Sequence, residues 1–582
     1  MTHRSLPAAT AAVSVAALVA SLGVSTVLVA QPAPLRPGHL EKPDDPYQAP
    51  GPRPGGLATG GPVIFNGFTH VQVNVDGLGA NIPGDAANEP SIAVDPLAPN
   101  RLTVGWRQFD AINSNFRQAG WAYSHDGGRT WTFPGRIQPG VFRSDPVLAA
   151  GADGLFYYYS LRGNFLCDMF ISADGGQSWT GPFAAFGGDK QWFSIDTTGG
   201  GSQGQIYAAW SIFAGCCGTN TFIRSIDGGM TFASPIMIPQ TPIFGTTTIA
   251  PNGTVFVGGV DPTDFSNFAV ARSSNAPNPG ESPVFEFSTS VDLGGTLTLS
   301  AGPNPGGLLG QVWLAASHDP NRAGHLYMLA SVDPPGPDPL DVHFVRSEDN
   351  GSTWSAPVQV SVEATGIGGA PPQWQWFGTL GVAPNGRLDV VYNDTGVTPD
   401  PTESALYYTW SVDEGDTWSP PVQVSPAFDQ HVGYPQQMKL GDYYQVVSDD
   451  VGAHVIWAAT FNGEQDVYYV RLGDYDCNGN GIGDEVDLRA GTSADCNDNG
   501  IPDSCEIAAG TVEDVDGDGV PDECVARCEA DLDGDGIVGP TDLAALLAAW
   551  GTNPAGPPDF NADGDVGPSD LATLLAAWGP CS

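Results

Sequence analysis

Apolar residues in this chain fall in short runs, many alternating with polar positions, and glycine, proline, asparagine or aspartate punctuates most gaps between them. That spacing predicts short β-strands joined by turns; helices would need apolar positions three and four apart over longer stretches. Seven runs head similar units: Ser91–Asp95, Pro146–Ala149, Phe193–Asp196, Thr246–Ile249, Val312–Ala315, Gly378–Val382 and Tyr444–Val447. A second strand follows, as at Leu102–Trp106, Ile206–Trp210 and Leu388–Tyr392, then a third and a fourth. The fourth reads Val-Gln-Val at Val358–Val360 and at Val422–Val424. The last unit stops after three strands, near Asp466–Arg471, while His70-Val-Gln-Val-Asn74 carries the closing pattern at the other end of the chain. An N-terminal strand completing the C-terminal unit would close a ring of sheets and remove its open edges.

A second repeat lies on the turns. Ser-x-Asp-x-Gly-x-x-aromatic occurs as Ser124/Asp126/Gly128/Trp131, Ser172/Asp174/Gly176/Trp179, Ser225/Asp227/Gly229/Phe232, Ser347/Asp349/Gly351/Trp354 and Ser411/Asp413/Gly415/Trp418, with Ser273-Ser-Asn275 as a decayed sixth copy. Ser and Asp side chains can cap the N–H groups of a tight turn, Gly takes a positive φ, and the aromatic fills the gap beside the hairpin. This motif is the Asp-box, and residues 61–472 resemble the BNR-repeat, sialidase-like β-propeller families. The resemblance implies a mainly β propeller whose boxes lie away from the ligand face. Seven inner strands predict seven blades; six is the alternative, the number true sialidases have.

Residues just ahead of the inner strands would line that ligand face: Asn88-Glu89-Pro90, Arg143-Ser-Asp145, Asp189-Lys190-Gln-Trp192, Gln373-Trp-Gln-Trp376 and Gly441-Asp442-Tyr443. They offer carboxylates, bases and aromatic platforms, which a sugar site requires. The same groups could instead pair with backbone polar atoms around a channel. Glu89, Asp145, Asp189, Asp442 and Tyr443 are the candidate catalytic residues. The sialidase resemblance implies three arginines on a carboxylate, a Tyr–Glu nucleophile pair and an acid Asp. The first arginine is missing, since its place reads Asn88-Glu-Pro-Ser-Ile92, and Arg107 and Arg143 are merely nearby. Sialidase activity is therefore disfavoured. Two functions stay open: a glycan-active propeller (a glycoside hydrolase, if an enzyme), and a non-catalytic propeller that binds glycan or protein at the cell surface.

Composition narrows the setting. Lys+Arg 21 against Asp+Glu 65 gives a net charge of −44, which excludes a nucleic-acid backbone as the expected partner. Residues 1–30, a basic start followed by an apolar and small-residue stretch, read as a secretory signal peptide, with an uncleaved membrane anchor as the competitor. Cleavage leaves no membrane span and a secreted or cell-surface protein. A Pro/Gly-rich linker follows at 31–60, ahead of the propeller at 61–472.

Half of the net charge sits in residues 473–582, which hold 24 acidic side chains and two arginines. Such density calls for a counter-ion, and Ca2+ is the natural one outside the cell. From 531 the chain duplicates itself at an offset of 28. Asp531, Asp533, Asp535, the carbonyl of Ile537 and Asp542 occupy calcium-loop positions 1, 3, 5, 7 and 12; Asp559, Asn561, Asp563, the carbonyl of Asp565 and Asp570 do the same in the second copy. An apolar run ending in Trp550 or Trp578 follows each loop and reads as helix. Residues 528–582 thus resemble a type I dockerin, which implies a cohesin-like partner and places specificity at Pro540/Thr541 and Pro568/Ser569. Three units upstream, in 473–527, supply Asp476, Asn478, Asn480 and Asp484; Asp495, Asn497, Asn499 and Asp503; and Asp514, Asp516, Asp518 and Asp522. These are similar to thrombospondin type 3 calcium repeats and imply a metal-stiffened stalk. Six cysteines here suggest disulfides, in neighbour order Cys477–Cys496, Cys505–Cys524 and Cys528–Cys581. Cys167, Cys216 and Cys217 form an odd set that no motif claims.

Overall fold

A computed structural model describes residues 45–47, 61–362, 373–497, 499–515, 517–524, 529–554 and 557–580. The stretch expected to be a signal peptide, most of the expected linker, Asp516 and the expected Cys528–Cys581 pairing lie outside them. Seven antiparallel sheets, blades 1 to 7, are headed by Ala86–Val94, Ser144–Ala150, Trp192–Ile195, Thr247–Ile249, Trp313–Ala316, Gln375–Val382 and Gln445–Ser448. The fold is a seven-bladed β-propeller.

Blade 7 takes three strands from its own stretch of chain, ending with Asp466–Gly473, and a fourth from Phe68–Gln72. His70 lies opposite Val470, Val71 opposite Tyr469 and Gln72 opposite Tyr468, so the copied Val-Gln-Val does close the ring. Beyond the ladder, Val73 N donates to Val467 O at 2.8 Å and Asn74 Nδ2 to Asp466 Oδ1 at 2.5 Å. The His70 ring meets Val424 O of blade 6 at 2.7 Å, tying the seam sideways.

The boxes are built alike. In blade 1, Ser124 Oγ accepts from Gly128 N at 2.8 Å and donates to Asp126 Oδ1 at 2.7 Å, which accepts from Thr130 N at 2.9 Å. The same three bonds recur at Ser172, Ser225, Ser347 and Ser411. In the decayed copy Asn275 still accepts from Ser273 Oγ, and its second donor is Val284 N. Two box aromatics seal seams between blades: Trp131 packs edge-on to Tyr469 of blade 7 and Trp418 to Phe344 of blade 5. Gly128 must be glycine, for its φ is +90° and a Cβ there would strike the Tyr469 ring.

The chain that follows the propeller is rooted on this seam. Arg129, within the first box, lies 3.8 Å over the Tyr475 ring and 3.9 Å from Asp484 Oδ2, while Tyr469 Oη donates to Gly127 O at 3.0 Å. Short helices Asp484–Ala490 and Asp503–Ala509 follow the first two loops, and Pro540–Ala548 and Pro568–Ala576 follow the last two. The disulfides are Cys477–Cys505 and Cys496–Cys524, not the neighbour order expected from sequence. In the second and third units the cysteine at loop position 11, Cys505 on the helix Asp503–Ala509 and Cys524 in a turn, returns to position 2 of the preceding unit, so the bridges interleave and staple one unit to the next.

Non-reducing peptide mapping is expected to return the Cys477–Cys505 and Cys496–Cys524 peptides and no Cys477–Cys496 peptide. Arg129→Ala, which removes a partly buried cation–π contact worth about 1 kcal/mol, is expected to speed proteolytic cutting at 473–476 while leaving the melting temperature within a few degrees.

Candidate functional site

The start of every inner strand is kinked. Glu89, Asp145, Lys190, Phe244 and Phe377 all have left-handed φ between +47° and +58°, and Gly310 and Gly441 fill the remaining two places at +146° and +96°. In blades 1, 2 and 6 the ladder slips there, between Asn88 and Ser91, Ser144 and Val147, and Trp376 and Thr379. Such a bulge re-aims one side chain, and in blades 1, 2, 3 and 7 the re-aimed or adjacent side chains meet.

All five candidate catalytic residues converge. Lys190 Nζ lies 3.3 Å from Asp145 Oδ2, 3.1 Å from Asp189 Oδ1 and 2.6 Å from Asp442 Oδ2. Lys439 Nζ lies 2.7 Å from Asp442 Oδ2 and 3.3 Å from Glu89 Oε1, and Arg107 Nε lies 3.1 Å from Glu89 Oε2. Tyr443 Oη donates to Pro146 O at 2.8 Å, and its ring packs edge-on to Trp192. None of the five is more than 2 % exposed. The cover was not foreseen from the sequence. A hairpin between blades 4 and 5, Leu299–Ala301 with Asn304–Leu308, reaches the loop before blade 7: Asn304 Nδ2 donates to Gly441 O, Leu440 N to Asn304 Oδ1, Leu308 N to Asp442 Oδ1 and Gly306 N to Met438 O, all at 2.7 to 2.9 Å.

Burial and charge set the protonation. Desolvation lifts Glu89 to about 8 against the opposing pull of Arg107 and Lys439. Asp145 and Asp442 are desolvated too, but Lys190 leads the cations that hold both below the usual carboxylate range. With Glu89 protonated, three carboxylates face three cations and the cluster is neutral, the condition under which buried charge is tolerated. Lys439 lies in a loop without pattern and was missed from sequence. Of the nearby arginines, Arg107 serves Glu89, whereas Arg143 lies 2.7 Å from Asp168 and over Phe170. Trp376 and Trp192 are buried in blade packing rather than presented as platforms.

The opposite end of the channel is hollow. A cavity of about 460 Å³ is walled by Ile92, Val94, Leu148, Ala150, Gln445 and Val447, and a smaller one of about 170 Å³ adjoins at Thr197, with Thr248 and His318.

The calcium candidates fit a cation to different degrees. Carboxylate oxygens of Asp531, Asp533 and Asp535 lie within 4.8 Å of one another. Position-1 aspartates accept the position-6 N–H in all five units, as Asp476 from Gly481 and Asp559 from Gly564. Asp542 and Asp570 close their loops by accepting backbone N–H groups, from Leu532, Asp533 and Gly539 and from Phe560, Asn561 and Gly567. Those donors, Gly567 foremost, hold Asp570 below the usual range. Asp484 and Asp503 each sit beside a disulfide instead, and accept from Cys477 N and Cys496 N. Two residues absent from the sequence reading converge on the upstream loops: Asp487 accepts from Asn478 and Asn480, and Glu506 from Asn497 and Asn499. Both stand at position 12, and counting twelve from Asp476 and Asp495 would have found them.

No family model and no curated protein matches this chain. Among solved structures, a protein of unknown function from Dyadobacter fermentans overlaps 69% of this chain and 97% of its own at 14% identity and a TM-score of 0.37. An ulvan lyase of polysaccharide lyase family 25 overlaps 67% and 94% at 13% and 0.34. The α-L-arabinofuranosidase Arb93A from Fusarium graminearum overlaps 69% and 97% at 11% and 0.35. Scores at that level carry neither substrate nor mechanism to this chain.

Lys190→Met would strand buried carboxylates and is expected to cost about 3–5 kcal/mol, read by denaturant unfolding. Because folded Glu89 keeps a proton that the unfolded chain releases near pH 4.5, its contribution to stability falls as pH rises from 4.5 to about 8. Glu89→Gln should flatten that decline in melting temperature against pH; an unchanged slope would remove Glu89 as its source.

Proposed function

We propose that this protein is an exported recognition propeller without a hydrolytic centre, carried on a calcium-organised stalk and a dockerin-like docking module. The observation that carries this reading is the position of two ammonium groups. Lys190 and Lys439 lie 2.6 and 2.7 Å from Asp442, so they fill the space that a glycosidic oxygen or an attacking water would need between two carboxyls. The accessible hollow at the other end of the channel has mostly aliphatic walls. Those suit the apolar tip of a protein ligand better than a pyranose, whose hydroxyls would go unpaired there.

The tail supports docking. Leu547 and Leu575, each 52% exposed, and Trp550 and Trp578, 42% and 46% exposed, stand at equivalent positions of the duplication. Paired exposed aromatics on a small rigid module are the usual anchors of a partner, here of cohesin type by the sequence resemblance. Bound calcium would neutralise the carboxylates of the loops and hold the helices that present these side chains.

One observation favours a glycan hydrolase instead. Glu89 is pushed up to about 8 and Asp145 is held low, the split that an acid and its partner carboxylate need. That reading requires the Asn304–Leu308 hairpin to lift away from Asp442.

Full-length protein is expected to release no sugar from a broad panel of plant, algal and animal glycans; release that Glu89→Gln abolishes would establish the hydrolase. Calcium titration should raise the helical ellipticity of the tail, and Asp531→Ala with Asp559→Ala should remove the rise. Trp550→Ala with Trp578→Ala should weaken capture by a cohesin at least tenfold without altering calcium uptake.

A further inference from the structure

Of the three cysteines left unclaimed by the sequence motifs, two are consecutive and lie in the loop beside the Asp189–Lys190 turn. Cys216 and Cys217 sit in the loop between Ile206–Ala209 and Asn220–Ser225 of blade 3, flanked by Gly215 and Gly218. That loop brackets the Asp189–Lys190 turn. Asp189 N donates to Ala214 O at 2.5 Å, Ser211 N to Asp189 O at 3.1 Å and Cys216 N to Gly187 O at 3.0 Å, and Gly188 pairs with Gly215. Gly188 and Gly215 are pressed so close that a Cβ on either would strike the other's backbone or Trp210. Cys217 is exposed and Cys216 half-buried, with Cys217 and Gly218 both left-handed at +73° and +64°. Cys216 and Cys217 are consecutive, so each thiol has the other as its neighbour. Cys167 is different: it is fully buried, hydrogen-bonded to Tyr159 and the Gly188 N–H, and closed off by Gly187.

We propose that Cys216 and Cys217 are an oxidation site that closes to a disulfide between adjacent residues and locks the loop against the Asp189–Lys190 turn. In closing, two thiols give up two protons and two electrons and one Sγ–Sγ bond forms. A disulfide of the low-molecular-weight or oxidoreductase class takes both electrons and leaves as two thiols. Adjacent Cα atoms are about 3.8 Å apart across a trans peptide, short of the usual disulfide span of about 4.4–6.8 Å. The ring is therefore strained and easily reopened. The stalk bridges, with Cα atoms 5.9 and 5.7 Å apart, lie within that span. Only the supply of oxidant in the native setting rests on the export reading; the chemistry of the pair does not.

The test uses full-length protein equilibrated with glutathione disulfide, then alkylated and peptide-mapped. The expected product is a 216–217 peptide two mass units lighter and unalkylated, with Cys167 unmodified. Graded dithiothreitol should open it at a concentration at least tenfold below that which opens Cys477–Cys505 and Cys496–Cys524, and hydrogen exchange at 187–192 should rise on opening. Two alkyl groups on 216–217 after oxidation, a Cys167–Cys216 peptide, or opening together with the stalk bridges would overturn the proposal. Cys217→Ser should form a mixed disulfide with glutathione at Cys216, and failure of that variant to react would likewise count against an oxidisable pair. Export is tested separately by whether the protein reaches the culture medium: its absence there, with a closed pair after glutathione disulfide in protein taken from cells, contradicts export and leaves the site standing.

Discussion

A ring of sheets has one place where it can come undone. Every blade but one is made from consecutive chain; the last must borrow a strand or leave its third strand with a row of unpaired N–H and C=O groups. Here Phe68–Gln72 lies along Asp466–Gly473, and the two ends of the propeller chain hold each other. The same seam also carries the tail. Tyr469 bonds the first box, Arg129 of that box covers Tyr475, and Arg471 Nε donates to Asp474 O at 2.7 Å. Residues 474 and 475 are thereby tied to the sheet that takes the closing strand and to blade 1 together.

The axis poses a second constraint. Seven inner strands converge on a channel, and each needs its first residues bent away from a regular ladder. Five non-glycine residues take the left-handed conformation to do so, at about 1 kcal/mol each. At three of those places the re-aimed side chains are Glu89, Asp145 and Lys190, and their attraction for one another and for Lys439, Asp442 and Arg107 offsets the strain. Polarity at this end and aliphatic walls at the other make the channel asymmetric. One mouth is a sealed electrostatic plug, and the other is a hollow.

Local chemistry was the part of this that the sequence made legible. The boxes could be read because their hydrogen bonds join residues two and four apart, and ring closure because Val-Gln-Val is repeated in the N-terminal strand. The convergence of Glu89, Asp145, Asp189, Asp442 and Tyr443 followed from where inner strands begin. Their concealment did not, since the covering hairpin at Asn304–Leu308 carries no motif and meets the blade 7 loop across more than a hundred residues. The disulfide register was misread for a related reason: the return of the chain after each loop, not order along the sequence, decides which sulfurs meet.

The tail loops differ in what holds them before any ion binds. Where positions 3 and 5 are asparagine, the amides donate to the position-12 carboxylate, as Asn478 and Asn480 do to Asp487. Their oxygens meanwhile accept backbone N–H groups of the turn. Neutral amide donors thus face this carboxylate from within the loop. Asp531, Asp533 and Asp535 have no amide among them, so three carboxylates within 4.8 Å repel until a counter-charge arrives. On the calcium reading proposed above, the ion would join amides already paired in the asparagine loops, while in the Asp531 loop it would relieve this repulsion beneath the helix that displays Leu547.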